Sequence, residues 1–383
     1  MEKFDNYIQR PESVITREGS LEHLFTFEDF PVFMGCTDQP LKDDLVADMV
    51  WEIDPLTGLI QLSKLIPMDI LYMDQHMDAT GQTWADYNAA LSDFIIENKK
   101  GNILEIGGGS GKLAKHILEK DSVVEYTVVE PNPTFEPDQR LKLIRSFFSE
   151  EIKGIDQSIE TIVLSQVLEH VYDPEFFLNE VRHCLPVGGK FLFGYPNLEY
   201  LFSNKFTNAI NFEHTMLMTD HFVDFFLKKA GFKILKKIDY QNHSHFYAVE
   251  KLPGDQIEHP ALPISRYDHY KKMFRDYISY HQSMVSALND EIDNAGSEVF
   301  LFGAHIFSQY LFAFGLKTQK IKFILDNSPI KQGKRLYGSQ LFVRSPEVLA
   351  SIEGPTVILK AGLYNKEIMN DILKNINPST KFI

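Results

Sequence analysis

Short apolar runs, broken by glycine, proline and acidic residues, alternate along the middle of the chain with stretches of helical periodicity. Ile103-Leu104-Glu105-Ile106 reads as a strand, Gly107-Gly108-Gly109-Ser110-Gly111 as a tight turn, and residues 112–118 as the start of a helix. Residues 126–129 predict a second strand, 161–165 a fully buried one and 190–193 another. Between the last two, Asp173 caps a helix with Pro174 in its first turn, and that helix stops at Pro186 and Gly188-Gly189. A further helix, capped near Thr219-Asp220, is closed by Gly231. Strands in succession with helices predict an α/β fold with a Rossmann-like parallel sheet, whose ligand sits at the carboxyl end of the first strand.

The pattern divides the chain into three zones. Residues 1–80 contain short strands, prolines and loops without a long helix, 81–255 hold the α/β unit, and 256–383 change character again. Pro253-Gly254, His259-Pro260 and Leu262-Pro263 make a linker, and the amphipathic aromatic stretch 267–292 predicts one long helix whose stripe is a packing face. Residues 299–302, a helix to Phe314 and a strand over 321–325 then give a second βαβ signal. It lacks the glycine triplet, so it reads as a structural Rossmann-like domain.

Composition narrows the partners. A chain of 383 residues with 44% hydrophobic content supports two or three domains with real cores. A net charge of −15, with no Lys/Arg run longer than two residues, argues against nucleic-acid and anionic-membrane partners and for small substrates. Two cysteines, Cys36 and Cys184, give no disulfide framework, and neither a secretory segment nor a membrane-length apolar run is visible. The expectation is a cytoplasmic protein; the sequence does not set its oligomeric state.

Charge also selects the ligand of the glycine turn. A pyrophosphate needs positive surroundings, whereas Glu105 places a carboxylate beside the loop, which disfavours NAD. A kinase-type phosphate loop would need glycine at Ile106 and Ser or Thr at Leu113. S-adenosylmethionine, with its sulfonium and ammonium, is attracted by the same carboxylate. Glu130, ending the second strand 25 positions after Glu105 (130 − 105 = 25), is placed to accept hydrogen bonds from both ribose hydroxyls.

The ordered segments EIGGGSG, VVEP, SQVLEHVYDP and LPVGGKFLFGYP resemble the class I S-adenosylmethionine-dependent methyltransferases. Residues 326–338 and Ser345-Pro346-Glu347, with Gly58 to Leu62 and Leu71-Tyr72, are similar to the bacterial sugar C-methyltransferases, so the resemblance spans nearly the whole chain. It implies S-adenosylmethionine as co-substrate, a sugar or nucleotide-sugar acceptor in polysaccharide or glycoconjugate biosynthesis, and donor contacts from Gly107, Gly109, Gly111, Tyr72, Phe148 and Gln166. The family's first domain is a zinc module with two CxxC pairs. Here the nearest positions, Ile15 and Glu18 for one pair and Asp54 and Thr57 for the other, carry no cysteine. The expectation is a degenerate, metal-free module held by Phe25, Phe27, Phe30 and Trp51, since Cys36 with His23 or His76 lacks ligand spacing.

Methyl transfer needs alignment and a base near the methyl. Two segments supply one: His170, in the loop after the 161–165 strand, and Glu213-His214, which fall on the last two informative positions of the family's YHEH motif. Asn211 and Phe212 stand where that motif has Tyr and His, so the sugar acceptor is held more firmly than the atom methylated. O- or N-methylation of another small polar metabolite and an inactive binding protein are the alternatives. The run 242–245 reads as a solvated turn.

Overall fold

The computed structural model describes residues 1–72, 82–148, 158–257, 259–264 and 266–383. Its central sheet is built, in chain order, from β1 (Asn102–Ile106), β2 (Tyr126–Val129), β3 (Leu141–Ile144), β4 (Ile159–Ser165), β5 (Lys190–Pro196), β6 (Phe232–Tyr240) and β7 (Ser244–Lys251). The spatial order is 3-2-1-4-5-7-6. β1 to β5 are parallel, and β7 runs antiparallel between β5 and β6. Strand order reverses between β1 and β4, and a crevice at the carboxyl ends follows from that reversal.

Both sheet faces are covered, which is why β4 and β5 read as unbroken apolar runs rather than alternating ones. Val163 and Leu192 face the helices Gln82–Asn98 and Lys112–Lys120, packing with Tyr87, Leu91 and Ile117. Their neighbours Ile162, Leu164, Phe191 and Phe193 face the opposite way, toward Phe177 and Val181 of Pro174–Cys184 and Phe222 and Phe226 of Asp220–Lys229. Asp173 caps the first of these helices through a hydrogen bond from the Phe176 amide, with Pro174 in the first turn as expected.

In the amino-terminal module, the strand Leu45–Ile53 pairs antiparallel with Glu22–Pro31 and Ile60–Leu62 and parallel with Glu2–Lys3. Phe27, Phe30 and Trp51 are buried as expected, and Phe25 is partly buried. Phe27 packs edge-on against both Phe25 and Phe30 within the module, but their packing also reaches beyond it. Phe27 meets Tyr310 and Phe314, and Phe30 meets Tyr310 and Phe212, all through ring contacts between distant zones.

Two facing turns in this module are tied by side chains. Asp54 Oδ1 accepts the amides of Leu56 (2.8 Å) and Thr57 (3.4 Å), while its Oδ2 accepts the hydroxyls of Ser13 (2.6 Å) and Thr57 (2.8 Å). Ser13 Oγ accepts in turn the amides of Ile15 and Thr16. The turn opposite Asp54 therefore starts at Ser13, two residues earlier than the spacing of Ile15 and Glu18 suggests; the Ile15 side chain belongs to the core and Glu18 is exposed. Cys36 lies against the Ala304 carbonyl and His23 against the Thr26 hydroxyl, and His76 falls outside the described residues.

The carboxyl-terminal domain is a parallel sheet in the order Val343–Arg344, Ile321–Leu325, Val299–Phe302, Thr356–Leu359, Lys381–Phe382, with the helix Ile306–Ala313 completing the expected βαβ unit. The long helix Tyr267–Asn294 buries Tyr270, Phe274, Tyr277, His281, Val285, Leu288 and Ile292, a stripe at spacings of three and four. Its first half joins the core under the central sheet and its second half the carboxyl-terminal core, so it pins the two together. A buried bidentate pair between Arg335 and Asp44 locks the amino-terminal module to the carboxyl-terminal domain. Among the described residues, no helix is long and apolar enough to cross a membrane.

Candidate active site

The turn after β1 adopts backbone conformations that only glycine accepts without strain: φ is 78° at Gly107, 47° at Gly109 and 69° at Gly111. A Cβ on Gly107 would also stand 2.6 Å from Val167 Cγ2. At the end of β2, Glu130 Oε2 accepts the Gly109 amide at 3.0 Å and Oε1 accepts the Asn132 amide at 2.9 Å. A carboxylate oxygen has two lone-pair sites, so each retains one for a ribose hydroxyl, which fits the nucleoside expected here. Asn132 continues the connection, donating from Nδ2 to the Tyr72 carbonyl at 2.6 Å.

Glu105 has a different environment from the one its charge suggests. It is 1% exposed beneath the turn, accepts a hydrogen bond from the Tyr126 hydroxyl at 2.9 Å, and burial pushes its carboxyl up to about 7. It braces the loop from below, and Glu130 is the half-buried carboxylate at the crevice.

Gln166 leaves the end of β4 at φ 55°, donating its amide to the Gly194 carbonyl and its Nε2 to Tyr87 Oη (2.9 Å) and Ser244 Oγ (3.1 Å). Tyr87 reaches this position because residue 194 is glycine, where a Cβ would lie 2.1 Å from the hydroxyl. Of the solvated turn expected at 242–245 only its start is observed: residues 241–243 turn with Asn242 exposed, while His243 is half-buried and Ser244-His245 enter the strand and are buried. His243 packs on Trp84 and Tyr87 with Nδ1 2.7 Å from Ser244 Oγ, and His245 is 7% exposed, 2.6 Å from Asp239. Aromatic neighbours on a helix more than 150 positions away cover residues that look like a polar loop in sequence. Phe148 rests against Phe177, and Phe147, which sequence reasoning did not single out, faces Tyr72.

Two loops converge on the acceptor side. His170 ends a 3-10 turn, Leu168–His170, and its Nδ1 lies 3.4 Å from Glu213 Oε2. The rings of His170 and His214 are 5.0 Å apart, and Tyr72 stands 6.5 Å from His170. His214 Nδ1 lies 3.3 Å from the Ala209 carbonyl, an acceptor only, so Nδ1 carries the proton and Nε2 keeps its lone pair. Burial lowers His214 to about 4, which keeps it a neutral base at physiological pH. Sequence reasoning named His214, Glu213 and His170 but missed what shapes them. Asn211 Oδ1 accepts the amides of both Glu213 and His214 at 2.7 Å, and Phe212 is buried.

Glu169 is the other group missed as a site residue. It is 2% exposed, its Oε2 finds no hydrogen-bond partner among the described residues, and burial pushes its carboxyl up to about 8. Glu169, His170 and His214 each bring one side-chain nitrogen or oxygen within 4.8 Å of the others.

Residues 74–237 match the family model of a methyltransferase domain, and residues 241–383 match that of a C-methyltransferase C-terminal domain. No curated protein matches the chain in sequence. Solved structures similar to it include an O-methyltransferase family protein from Burkholderia thailandensis (10% identity, 45% of this chain and 57% of that one, TM-score 0.37). Human N-acetylserotonin methyltransferase in complex with S-adenosylmethionine is another (16%, 45% and 53%, TM-score 0.39). A third is an S-adenosylmethionine-dependent methyltransferase from Mesorhizobium loti (13%, 42% and 96%, TM-score 0.36). The chain spans little more than half the length of the first two. Laid end to end on the sheet and domain described above, the two matched stretches give the chain a methyltransferase domain followed by a C-methyltransferase C-terminal domain.

Proposed function

We propose that the protein methylates a small sugar-type acceptor, nucleotide-linked and bearing a carbonyl, at carbon. The observation that carries this reading is the meeting of Glu213, His170 and His214 beside the loops that hold the donor. The match of residues 241–383 to a C-methyltransferase domain supports carbon as the atom. When bound, S-adenosylmethionine supplies an electrophilic methyl on its sulfonium, and the C–S bond breaks as the bond to the acceptor forms, leaving S-adenosylhomocysteine.

In this reading the protein aligns the acceptor and moves one proton. His214 Nε2 takes the proton from the carbon next to the carbonyl, and the electron pair of that C–H bond becomes the enolate that bonds to the methyl. Glu213, an ion-pair contact 3.4 Å from His170 Nδ1, favours positive charge on that imidazole, which stabilises the acceptor oxygen as negative charge develops there. Glu130 holds the ribose, and the glycine turn admits the donor's backbone-side contacts.

Methylation at oxygen is the second reading, favoured by Asn211 and Phe212. The amide of one caps the loop and the ring of the other packs in the core, so neither serves an enolate. Turnover of methyl-labelled S-adenosylmethionine with a panel of nucleotide-linked ketosugars, followed by NMR of the product, decides between them. A new C–CH3 signal supports the proposal, an O–CH3 signal replaces it with the second reading, and absence of transfer to any sugar overturns the acceptor class.

A further inference from the structure

The two loops that carry His170 and Glu213-His214 come from separate crossovers of the sheet, and neither donates a main-chain hydrogen bond to the other among those described. A third segment bridges them. Ile8–Gln9 pairs antiparallel with Lys64–Leu65, and the Arg10 amide donates to the Ser63 carbonyl at 2.8 Å, which fixes the Arg10 backbone. Its guanidinium then donates to four acceptors: from Nε to the Leu62 carbonyl (2.8 Å), from one terminal nitrogen to the Tyr172 carbonyl (3.2 Å) and Thr215 Oγ1 (3.4 Å), and from the other to the Thr215 carbonyl (2.6 Å).

Tyr172 lies two residues beyond His170, and Thr215 directly follows His214. The strand Ile60–Leu62 reinforces the second attachment, because the Leu62 amide donates to the Thr215 carbonyl and the Leu217 amide to that of Ile60. A planar fork of five donors can hold two carbonyls on different loops at fixed separation, which a lysine ammonium on a flexible stem does not do. All four acceptors are neutral oxygens, so the arrangement is not an ion pair that happens to be buried; charge-assisted hydrogen bonds to main-chain carbonyls set loop position.

We propose that Arg10 is a positioning residue that holds the His170 loop and the Glu213-His214 loop in register, so that the amino-terminal module completes the acceptor side of the active site. The inference rests on reading His170, Glu213 and His214 as the acceptor-side groups, but its test needs no acceptor. A cavity of about 290 Å3 is lined by Arg10 together with Ser13, Arg17, Leu65, Tyr172 and Asp173.

The test is NMR titration of the His170 and His214 ring protons in the full-length protein with S-adenosylhomocysteine bound, for wild type, Arg10→Ala and Arg10→Lys, with His170→Gln and His214→Gln providing assignments. Expected for Arg10→Ala is a His214 midpoint that rises from about 4 toward the ordinary 6.5 as the loop loosens, with the affinity for S-adenosylhomocysteine changed by less than about twofold. Millimolar guanidinium returns the midpoint to the wild-type position. Arg10→Lys, which keeps the charge and loses the fork, falls between. Folded Arg10→Ala with wild-type histidine curves overturns the proposal, as does a shifted curve that guanidinium leaves unmoved while donor affinity falls in parallel. If Arg10→Ala does not fold, Arg10→Lys decides, and an unshifted curve there overturns it. Failure of this test leaves the product analysis of the acceptor untouched, and failure of the product analysis leaves this titration intact.

Discussion

Glu213 holds a carboxylate oxygen 3.4 Å from Nδ1 of His170, joining a loop after β4 to one that precedes the helix Asp220–Lys229. A carboxylate this close to an imidazole favours its charged form, and loss of that charge costs more in turnover than in binding. Glu213→Gln retains the shape and one acceptor oxygen but removes the charge. The expected result is a fall in kcat of about 10²-fold to 10³-fold in methyl transfer, with calorimetric affinity for S-adenosylhomocysteine changed by less than about twofold. Equal kcat in the variant removes Glu213 from the mechanism.

The donor side responds in the opposite way. Gly107 has φ 78° and no room for a Cβ, which would meet Val167 at 2.6 Å. Gly107→Ala therefore has to move the turn or the loop after β4, at a strain of about 1–3 kcal/mol. Glu130→Ala removes the acceptor of the Gly109 and Asn132 amides as well as the ribose contact proposed for it. Each variant is expected to weaken S-adenosylhomocysteine binding by about tenfold or more, in line with about 1.4 kcal/mol per decade. Calorimetric titration measures both; an unchanged Kd for Glu130→Ala refutes its placement at the ribose.

The central sheet was legible because its signals are local. An apolar run ending in glycines, a Pro after an Asp cap and a Gly after a helix each report a neighbouring backbone state, and residues 112–120, 126–129 and 174–184 follow them closely. What escaped reading are contacts between residues far apart in sequence. Arg10 looks like an isolated surface cation, Tyr87 like one aromatic in a helix, and Asn211 like a loss from a motif. Each acquires its role only when Thr215, Gln166 or His214 is brought beside it. The Ser13 turn escaped for a related reason, since spacing counted from a family pattern carries no information on which oxygen actually faces Asp54.

That Asp54 cluster yields a prediction on the amino-terminal module. Asp54 is 3% exposed and satisfies two hydroxyls and two amides, all from the facing turns of Ser13 and Thr57. Asp54→Ala strands several buried donors at about 1–3 kcal/mol for each group left unpaired, so denaturant unfolding is expected to show a loss of about 3 kcal/mol. Elemental analysis of the wild type is expected to show less than stoichiometric zinc, and a chelator to leave the unfolding midpoint in place. Stoichiometric zinc, with a midpoint that drops on chelation, contradicts a module closed by oxygen and amide groups alone.

Stability against pH follows from three buried groups, with opposite signs. His214 is lowered from 6.5 to about 4, so its unfolded form binds a proton that the folded form refuses; its contribution is complete above pH 6.5 and disappears as pH falls to about 4. Glu169 and Glu105 are raised from 4.5 to about 8 and about 7, so the folded protein keeps protons that the unfolded chain releases. Their contribution is complete below pH 4.5 and declines as pH rises through 7 and 8. Between pH 4.5 and 6.5 His214 offsets only one of the two carboxyls, so these three groups place the highest unfolding midpoint near about pH 4, with a decline from there to about pH 8. Glu169→Gln imitates the protonated carboxyl at every pH and removes one source of the alkaline decline, worth on the order of 5 kcal/mol by pH 9. Thermal unfolding of wild type and Glu169→Gln from pH 5 to pH 9 measures the difference, and parallel curves show that Glu169 is already ionised in the folded protein.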